Sequence, residues 1–314
     1  MRATAAVYGL VCLLALCMPL LGIYPVFMMK LLCFAMFACA FNLLLGFSGM
    51  LSFGHAAFFG SAAYVTSWLA TAHGWGTIPA LLAGGIVAAL LGLIIGALAI
   101  RRHGIYFAMI TLAMAQLVYF VCLEAPFTGG ENGLQGVPRG KLFGLVDLKS
   151  DIAMYYVVLV IGIAVFAFIR RVVHSPFGQI LKAIRENEPR AVSLGYDINR
   201  YKLLAFVLSA TLAGLAGALK ALVLGFATLS DVLQGTSGEV ILMTLVGGSG
   251  TFLGPVLGAA IVVTLQEYLS DIVGGWVTVI LGTVFAVCVL VFRRGIVGEL
   301  VAWRASSDRR PAKA

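Results

Sequence analysis

Arg170-Arg-Val-Val-His-Ser-Pro-Phe-Gly-Gln-Ile-Leu-Lys-Ala-Ile-Arg-Glu-Asn-Glu-Pro-Arg-Ala-Val-Ser-Leu-Gly-Tyr-Asp-Ile-Asn-Arg-Tyr-Lys202 is a long polar interruption in a chain that is otherwise soluble in lipid. It holds seven basic residues (Arg170, Arg171, Lys182, Arg185, Arg190, Arg200, Lys202) against three acids, Glu186, Glu188 and Asp197. Leu181, Ile184, Ala191 and Leu194 are interleaved at helical spacing. Apolar runs flank it on both sides, each able to cross ~30 Å of hydrocarbon at ~1.5 Å per residue. A basic amphipathic segment between two such runs predicts a multi-pass membrane protein with a structured surface loop that docks a partner.

Composition supports this reading. Hydrophobic residues make up 61% of the chain and charged residues 11%, with a mean hydropathy of +1.05, whereas soluble domains carry about 25% charged residues. The formal charge of +8 does not indicate nucleic acid, because Lys and Arg cluster where apolar runs end, as membrane orientation requires. Cys12, Cys17, Cys33, Cys39, Cys122 and Cys288 all lie inside apolar runs, with no Cys-x-x-Cys pair and no histidine at metal-ligand spacing. They read as small buried hydrophobes, and no metal site is expected.

Ten candidate spans follow from the apolar runs: 5–22, 26–45, 56–72, 78–100, 104–123, 152–169, 201–225, 236–248, 252–270 and 276–292, the eighth being short. The expected fold is an all-α polytopic membrane protein of about ten transmembrane helices, one permease-like domain over residues 1–314. Residues 1–22 lack a small-x-small cleavage site before Tyr24 and read as an uncleaved first span. Arg2, Arg101, Arg102, the 170–202 loop and the tail 293–314 hold sixteen of the twenty-one Lys/Arg. By the positive-inside rule these segments are cytoplasmic, both termini included. The 124–151 loop has no basic excess and falls on the outside.

Two glycine-rich stretches break the helical pattern, 46–54 (Gly-Phe-Ser-Gly-Met-Leu-Ser-Phe-Gly) and 247–254 (Gly-Gly-Ser-Gly-Thr-Phe-Leu-Gly). Both contain Gly-x-Ser-Gly after an apolar run, a weak internal repeat. Paired breaks of this kind point to a transport pathway, although small residues also serve close helix packing. Asn42, Ser48, Ser52, His55, Ser249 and Thr251 are the polar pathway candidates. Gly46, Gly49, Gly54, Gly247 and Gly250 would let the backbone open or helices approach. His55 fits either a pathway or a packing role. Lys30, Lys220, Glu239 and Glu267 lie near predicted outer ends, where the two lysines are expected to snorkel.

Within the basic segment, Ser175 is placed to cap a helix begun by Pro176 and running over 177–187. Glu188-Pro189 interrupts it, and a second turn over 189–194 closes on Gly195 in the left-handed conformation. Asn199 is placed to cap the next span. Ala183 and Ile184 are expected to make the apolar contact with a soluble partner.

These residues resemble a known family. Asn42-Leu-Leu-Leu-Gly-Phe-Ser-Gly-Met-Leu-Ser-Phe-Gly-His-Ala-Ala-Phe-Phe-Gly60, Gly104-Ile-Tyr-Phe-Ala-Met-Ile-Thr-Leu-Ala113, Thr128-Gly-Gly-Glu-Asn-Gly-Leu134, Ser175 to Glu188 and Gly247-Gly-Ser-Gly-Thr-Phe-Leu-Gly-Pro255 look like the LivM-type permease subunits of branched-chain amino acid ABC importers. The likeness covers nearly the whole chain in order. It implies a type II ABC importer-like permease in a bacterial inner membrane. It further implies a LivH-like second permease, two cytoplasmic ATPases that use ATP and Mg, a periplasmic substrate-binding protein and surrounding membrane lipid as partners. It also implies that the segment from Ser175 to Gly195 is the ATPase coupling region, carried by Ser175, Pro176, Phe177, Gly178, Leu181 and Lys182, then Ala183, Ile184, Arg185, Glu186, Asn187 and Glu188, and closed by Gly195. Urea and short-amide permeases share most of these motifs, so the substrate class stays open between them. The chain itself has no Gly-x-x-x-x-Gly-Lys-Ser/Thr phosphate loop, so no cofactor of its own is expected and its energy must come from a partner. An autonomous secondary transporter is the rival reading, and it would need no ATPase.

Overall fold

Apolar runs bounded by glycine and proline fold into helices because, in lipid, a helix satisfies its own backbone hydrogen bonds. In the computed structural model of the chain, residues 24–142 and 146–276 are described, with the isolated positions 16, 22, 279, 280, 282, 283, 286 and 295. Apart from those positions, the predicted span 5–22, most of the span 276–292 and the tail lie outside the described residues.

Helix α1, Pro25–Asn42, starts on a proline whose missing N–H costs nothing at that position, and it passes into a π-helical turn over Leu43–Phe47. There follow α2 (His55–Ala72), α3 (Thr77–Ala99), α4 (Ile105–Glu124) and α5 (Asp151–His174). The polar segment forms two short helices, α6 (Pro176–Glu186) and α7 (Glu188–Ser193). Then come α8 (Ile198–Leu224), α9 (Gln234–Gly247) and α10 (Gly254–Val273). The eight predicted spans from 26–45 to 252–270 are all helices. Among the described residues, five segments are long and apolar enough to cross a membrane: Pro25–Phe47, α3, α4, α5 and α8. Helix α9, with 14 residues, reaches only about 21 Å.

Helix α8 is the centre of the bundle, with residues from Ala205 to Val223 buried against α1, α2 and α3. It gets there through small residues. A Cβ on Gly217 would collide with the Phe59 backbone, and one on Gly214 with Ala88, so these helices touch almost backbone to backbone. His55, Phe41, Phe58 and Phe206 pack edge to face around the same axis.

Consecutive long helices alternate in direction. One face of the bundle carries α6 together with the first glycine break, the α3–α4 turn and the start of α8, which share one cavity wall there. The opposite face carries two short antiparallel strand pairs, Leu134–Gln135 with Phe226–Ala227 and Lys141–Leu142 with Val146–Asp147. There Arg139 binds the Asp151 carboxylate and donates to the Val223 carbonyl at 2.8 Å, closing the end of α8.

Lys220 departs from its expected snorkelling position. Its ammonium is buried, donates to both oxygens of Asp231 at 2.8 Å and lies 4.7 Å from the centre of the Phe226 ring. Asp231 in turn accepts from the Thr228 amide at 3.2 Å. A turn between α8 and α9 therefore neutralises the lysine from inside the protein. Lys30 likewise finds Glu267 on α10 rather than reaching for solvent alone.

Removing one partner of a buried pair leaves an uncompensated charge, a loss of about 3–5 kcal/mol. Lys220→Met or Asp231→Asn should each lower the thermal midpoint of the detergent-solubilised protein markedly. The double variant Lys220→Met/Asp231→Leu should recover most of the loss in the same melting assay.

Candidate functional site

The basic segment folds through local caps. Ser175 Oγ accepts from the Gly178 amide at 3.4 Å, and Pro176 occupies the first helical position of α6. A Cβ on Gly178 would collide with the Val172 and Val173 carbonyls, so only glycine lets α6 fold back sharply on the end of α5. Asn187 then caps α7, its Oδ1 accepting from the Arg190 amide at 3.1 Å. Gly195, at φ +86°, ends the segment in the left-handed conformation as its spacing predicts. The cap of α8 is Asp197 rather than Asn199: the Asp197 carboxylate accepts from the Arg200 amide at 3.4 Å, and Asn199 falls inside the first turn. An anionic side chain two residues earlier also complements the positive end of the helix.

The apolar stripe is split between two faces. Leu181, Ile184 and Ala191 turn inward, and Ile184 and Ala191 pack with Ile198 in a small satellite core. Ile184 is therefore a contact within this chain, and the expectation that it meets a soluble partner is corrected for that residue. A three-turn amphipathic helix lying on a helical bundle uses its apolar side to stay there. Ala183 faces outward, and so do Val192, Leu194 and Tyr196, large apolar side chains left 58%, 68% and 39% exposed. Val192 and Tyr196 were not singled out in the sequence, because they fall off the stripe that periodicity detects.

The segment is pinned at its middle by charge. Lys202, in the second turn of α8 and buried, donates to both oxygens of Glu188 at 2.9 Å. His103 of the α3–α4 turn lies 3.6 Å from the same carboxylate. Next to this cluster is a cavity of about 510 Å³ between the first glycine break, the start of α4 and α6. Ser48, Gly49, Phe53, Arg102, Arg185 and Lys202 are among its walls.

Both glycine breaks lie between successive helices, the first between α1 with its π-helical turn and α2, the second between α9 and α10. Asn42 is buried at the end of α1, and its side-chain amide clamps the second break: Nδ2 donates to the Thr251 carbonyl at 2.8 Å, and Oδ1 accepts from the Gly250 amide at 2.9 Å. A Cβ on Gly46 would lie 2.5 Å from the Gly250 nitrogen. The two breaks thus touch, and glycine is required at their closest point. Gly49 and Gly250 have positive φ, +73° and +79°, and Gly247 packs against Gly254 and Gly258 at the start of α10. Helix α6 reaches the first break directly: Arg185 Nη1 donates to the Gly46 carbonyl, and the Lys182 ammonium lies 5.6 Å from the centre of the Phe47 ring.

The remaining pathway candidates turn their polar atoms onto nearby groups. Ser48 Oγ donates to the Leu44 carbonyl at 2.8 Å, and Ser52 Oγ accepts from the Gly54 amide at 3.3 Å. Gly54 sits where any Cβ would strike the Thr111 carbonyl of α4. Thr251 Oγ1 donates to the Gly248 carbonyl at 2.7 Å, while Ser249 is half-buried in the same turn. His55 is fully buried, its Nε2 2.8 Å from Ser209 Oγ, away from the Arg185 cluster. The structure thus gathers Gly46, Gly49 and Gly250 around Arg185, with Asn42 joined to Gly250 and Thr251, and leaves Ser52, Gly54 and His55 in the packed interior. No group of three or more His, Cys, Asp or Glu residues able to hold a metal ion occurs among the described residues.

Residues 26–292 match the family described as "Branched-chain amino acid transport system / permease component". The chain is 31% identical over 253 residues to the high-affinity branched-chain amino acid transport system permease protein LivM of Escherichia coli strain K12, over 73% of this chain and 60% of that one. It is 26% identical over 196 residues to the probable branched-chain amino acid transport permease protein LivM of Methanocaldococcus jannaschii, over 59% and 55%. The chain therefore spans less than two thirds of the length of these relatives. A solved structure of PsaBC from Streptococcus pneumoniae in complex with Fab is 16% identical, with a TM-score of 0.44 over 84% of this chain and 91% of that one.

The two faces of α6 can be told apart experimentally. Ile184→Asp would bury a carboxylate in the satellite core at a cost of several kcal/mol, and should speed limited proteolysis within residues 186–197. Ala183→Asp, on the outward face, should leave the cleavage rate unchanged.

Proposed function

We propose, for a chain that belongs to the branched-chain amino acid transport permease family, that it is the membrane subunit of an ATP-driven importer and moves a small apolar amino acid inward by alternating access. The chain is a transport subunit and no catalytic function is indicated for it. ATP and Mg are then used by two soluble ATPases. A LivH-like second permease completes the pathway, and a periplasmic binding protein supplies the substrate. The face carrying α6 is the cytoplasmic face of a bacterial inner membrane, with both termini on that side, consistent with the positive-inside distribution of Lys and Arg.

The observation that carries this reading is the two-sided character of the segment from Ser175 to Gly195. Its inner side is anchored by Leu181, Ile184 and the Glu188–Lys202 pair. Its outer side presents Ala183, Val192 and Leu194, which are exposed among the described residues. A capped helical knob that is rigidly attached and apolar on its free side suits insertion into a cleft of a moving soluble domain. Polar side chains near the breaks satisfy mainly backbone groups, so the pathway offers few strong ligands. Weak binding there suits release, and recognition then rests with the external binding protein.

The test is reconstitution of the chain with its partner subunits in liposomes. Uptake of labelled leucine, isoleucine or valine should require ATP and the binding protein. Concentrative uptake by the isolated chain, or uptake of urea in place of amino acids, would refute the reading. Leu194→Ala should weaken association with the ATPase by about 1.5–3 kcal/mol, the value of a buried leucine, seen as lower recovery of the ATPase in co-purification.

A further inference from the structure

Among the contacts at the α6 face, one set joins elements far apart in the chain. Arg185 extends from α6 so that a Cβ on Gly49 would lie 3.0 Å from its Cγ, and its guanidinium binds the Gly46 carbonyl. That carbonyl belongs to the last turn of a helix, where no backbone donor follows. A cation there is favoured by both the charge-assisted hydrogen bond and the negative end of the helix dipole. A Cβ on Gly250 would lie 3.2 Å from Arg185 Nη1 and 3.3 Å from the Gly46 oxygen, so the second break rests on the same guanidinium. Four residues before Gly46, Asn42 holds Gly250 and Thr251 through two hydrogen bonds, 208 and 209 residues away in sequence.

We infer that Arg185 and Asn42 are positioning residues for transport: Arg185 ties displacement of α6 to the first glycine break, and Asn42 shares that displacement with the second. The inference rests on the proposed function, since it needs a motor acting on α6. The π-helical turn Leu43–Phe47 between the two contacts is the element that can yield, because such turns carry strained i→i+5 bonding within an otherwise α-helical run. Leu181, Ile184 and Glu188 keep α6 on the bundle without reaching the second break. Loss of Arg185 therefore separates attachment of α6 from transmission through it.

The experiment uses the intact complex in liposomes, with the wild-type complex first shown to import amino acid at the expense of ATP. If that fails, the functional reading itself falls and the variants are not informative about linkage. Given a working complex, Arg185→Gln should lower uptake per ATP hydrolysed roughly tenfold, the factor expected for one charge-assisted hydrogen bond, the ratio being read against the hydrolysis rate of the same variant complex. Arg185→Lys, which can still reach a carbonyl, should recover much of the ratio. Asn42→Asp, which keeps the acceptor for Gly250 but loses the donor to Thr251, should lower uptake per ATP as well. An unchanged ratio in Arg185→Gln would overturn the inference. So would a parallel loss of hydrolysis and uptake, which would make Arg185 a mere docking residue, or failure of the Arg185→Lys complex to assemble.

Discussion

A backbone group buried in hydrocarbon has no water to turn to, and the whole architecture answers that constraint. Long helices satisfy their own backbone, and where the chain leaves helix, side chains take over. The amide of Asn42 supplies one acceptor and one donor to the non-helical stretch at Gly250 and Thr251. Arg185 satisfies the Gly46 carbonyl, and Thr251 caps the start of α10 by accepting from the Gly254 amide at 3.1 Å. Both breaks are tolerable at the end of the bundle because each finds its partners in protein.

The same constraint governs charge. Lys220 on the central helix is neutralised by Asp231, itself held by the Thr228 amide. Lys30 meets Glu267, and Glu239 accepts from Gln266 at 3.3 Å. The Lys30 and Glu239 contacts tie α1, α9 and α10 together, and Asp231 ties α8 to the turn before α9. One end of the bundle is thus braced by ion pairs and short strands. The other carries the glycine breaks and the short helices α6 and α7.

Much of this was legible along the chain. The eight spans between 26 and 270, the Ser175 cap, the proline at 176 and the left-handed Gly195 are all local signals, decided within a few residues. The division of the α6–α7 segment into an inner and an outer face was only half legible. Helical spacing groups Leu181, Ile184, Ala191 and Leu194, yet a change of axis at Asn187 sends Leu194 outward and leaves Val192 beside it. The cap of α8 was misplaced for a similar reason: Asp197 and Asn199 are both competent caps, and the position where the chain turns away from α7 selects between them.

By itself the sequence determined that this is a multi-pass helical membrane protein, where the eight helices predicted between 26 and 270 lie, and that it carries a capped basic segment with an apolar stripe. These follow from hydropathy, periodicity and capping, which act between near neighbours. Tertiary structure alone decided that the two glycine breaks meet, that Asn42 and Arg185 join them, and that Lys220 is paired instead of solvated. Those outcomes depend on groups up to 209 residues apart, and on backbones brought within a Cβ's width by glycine. No local pattern encodes such an approach, because its free energy exists only once the helices have packed.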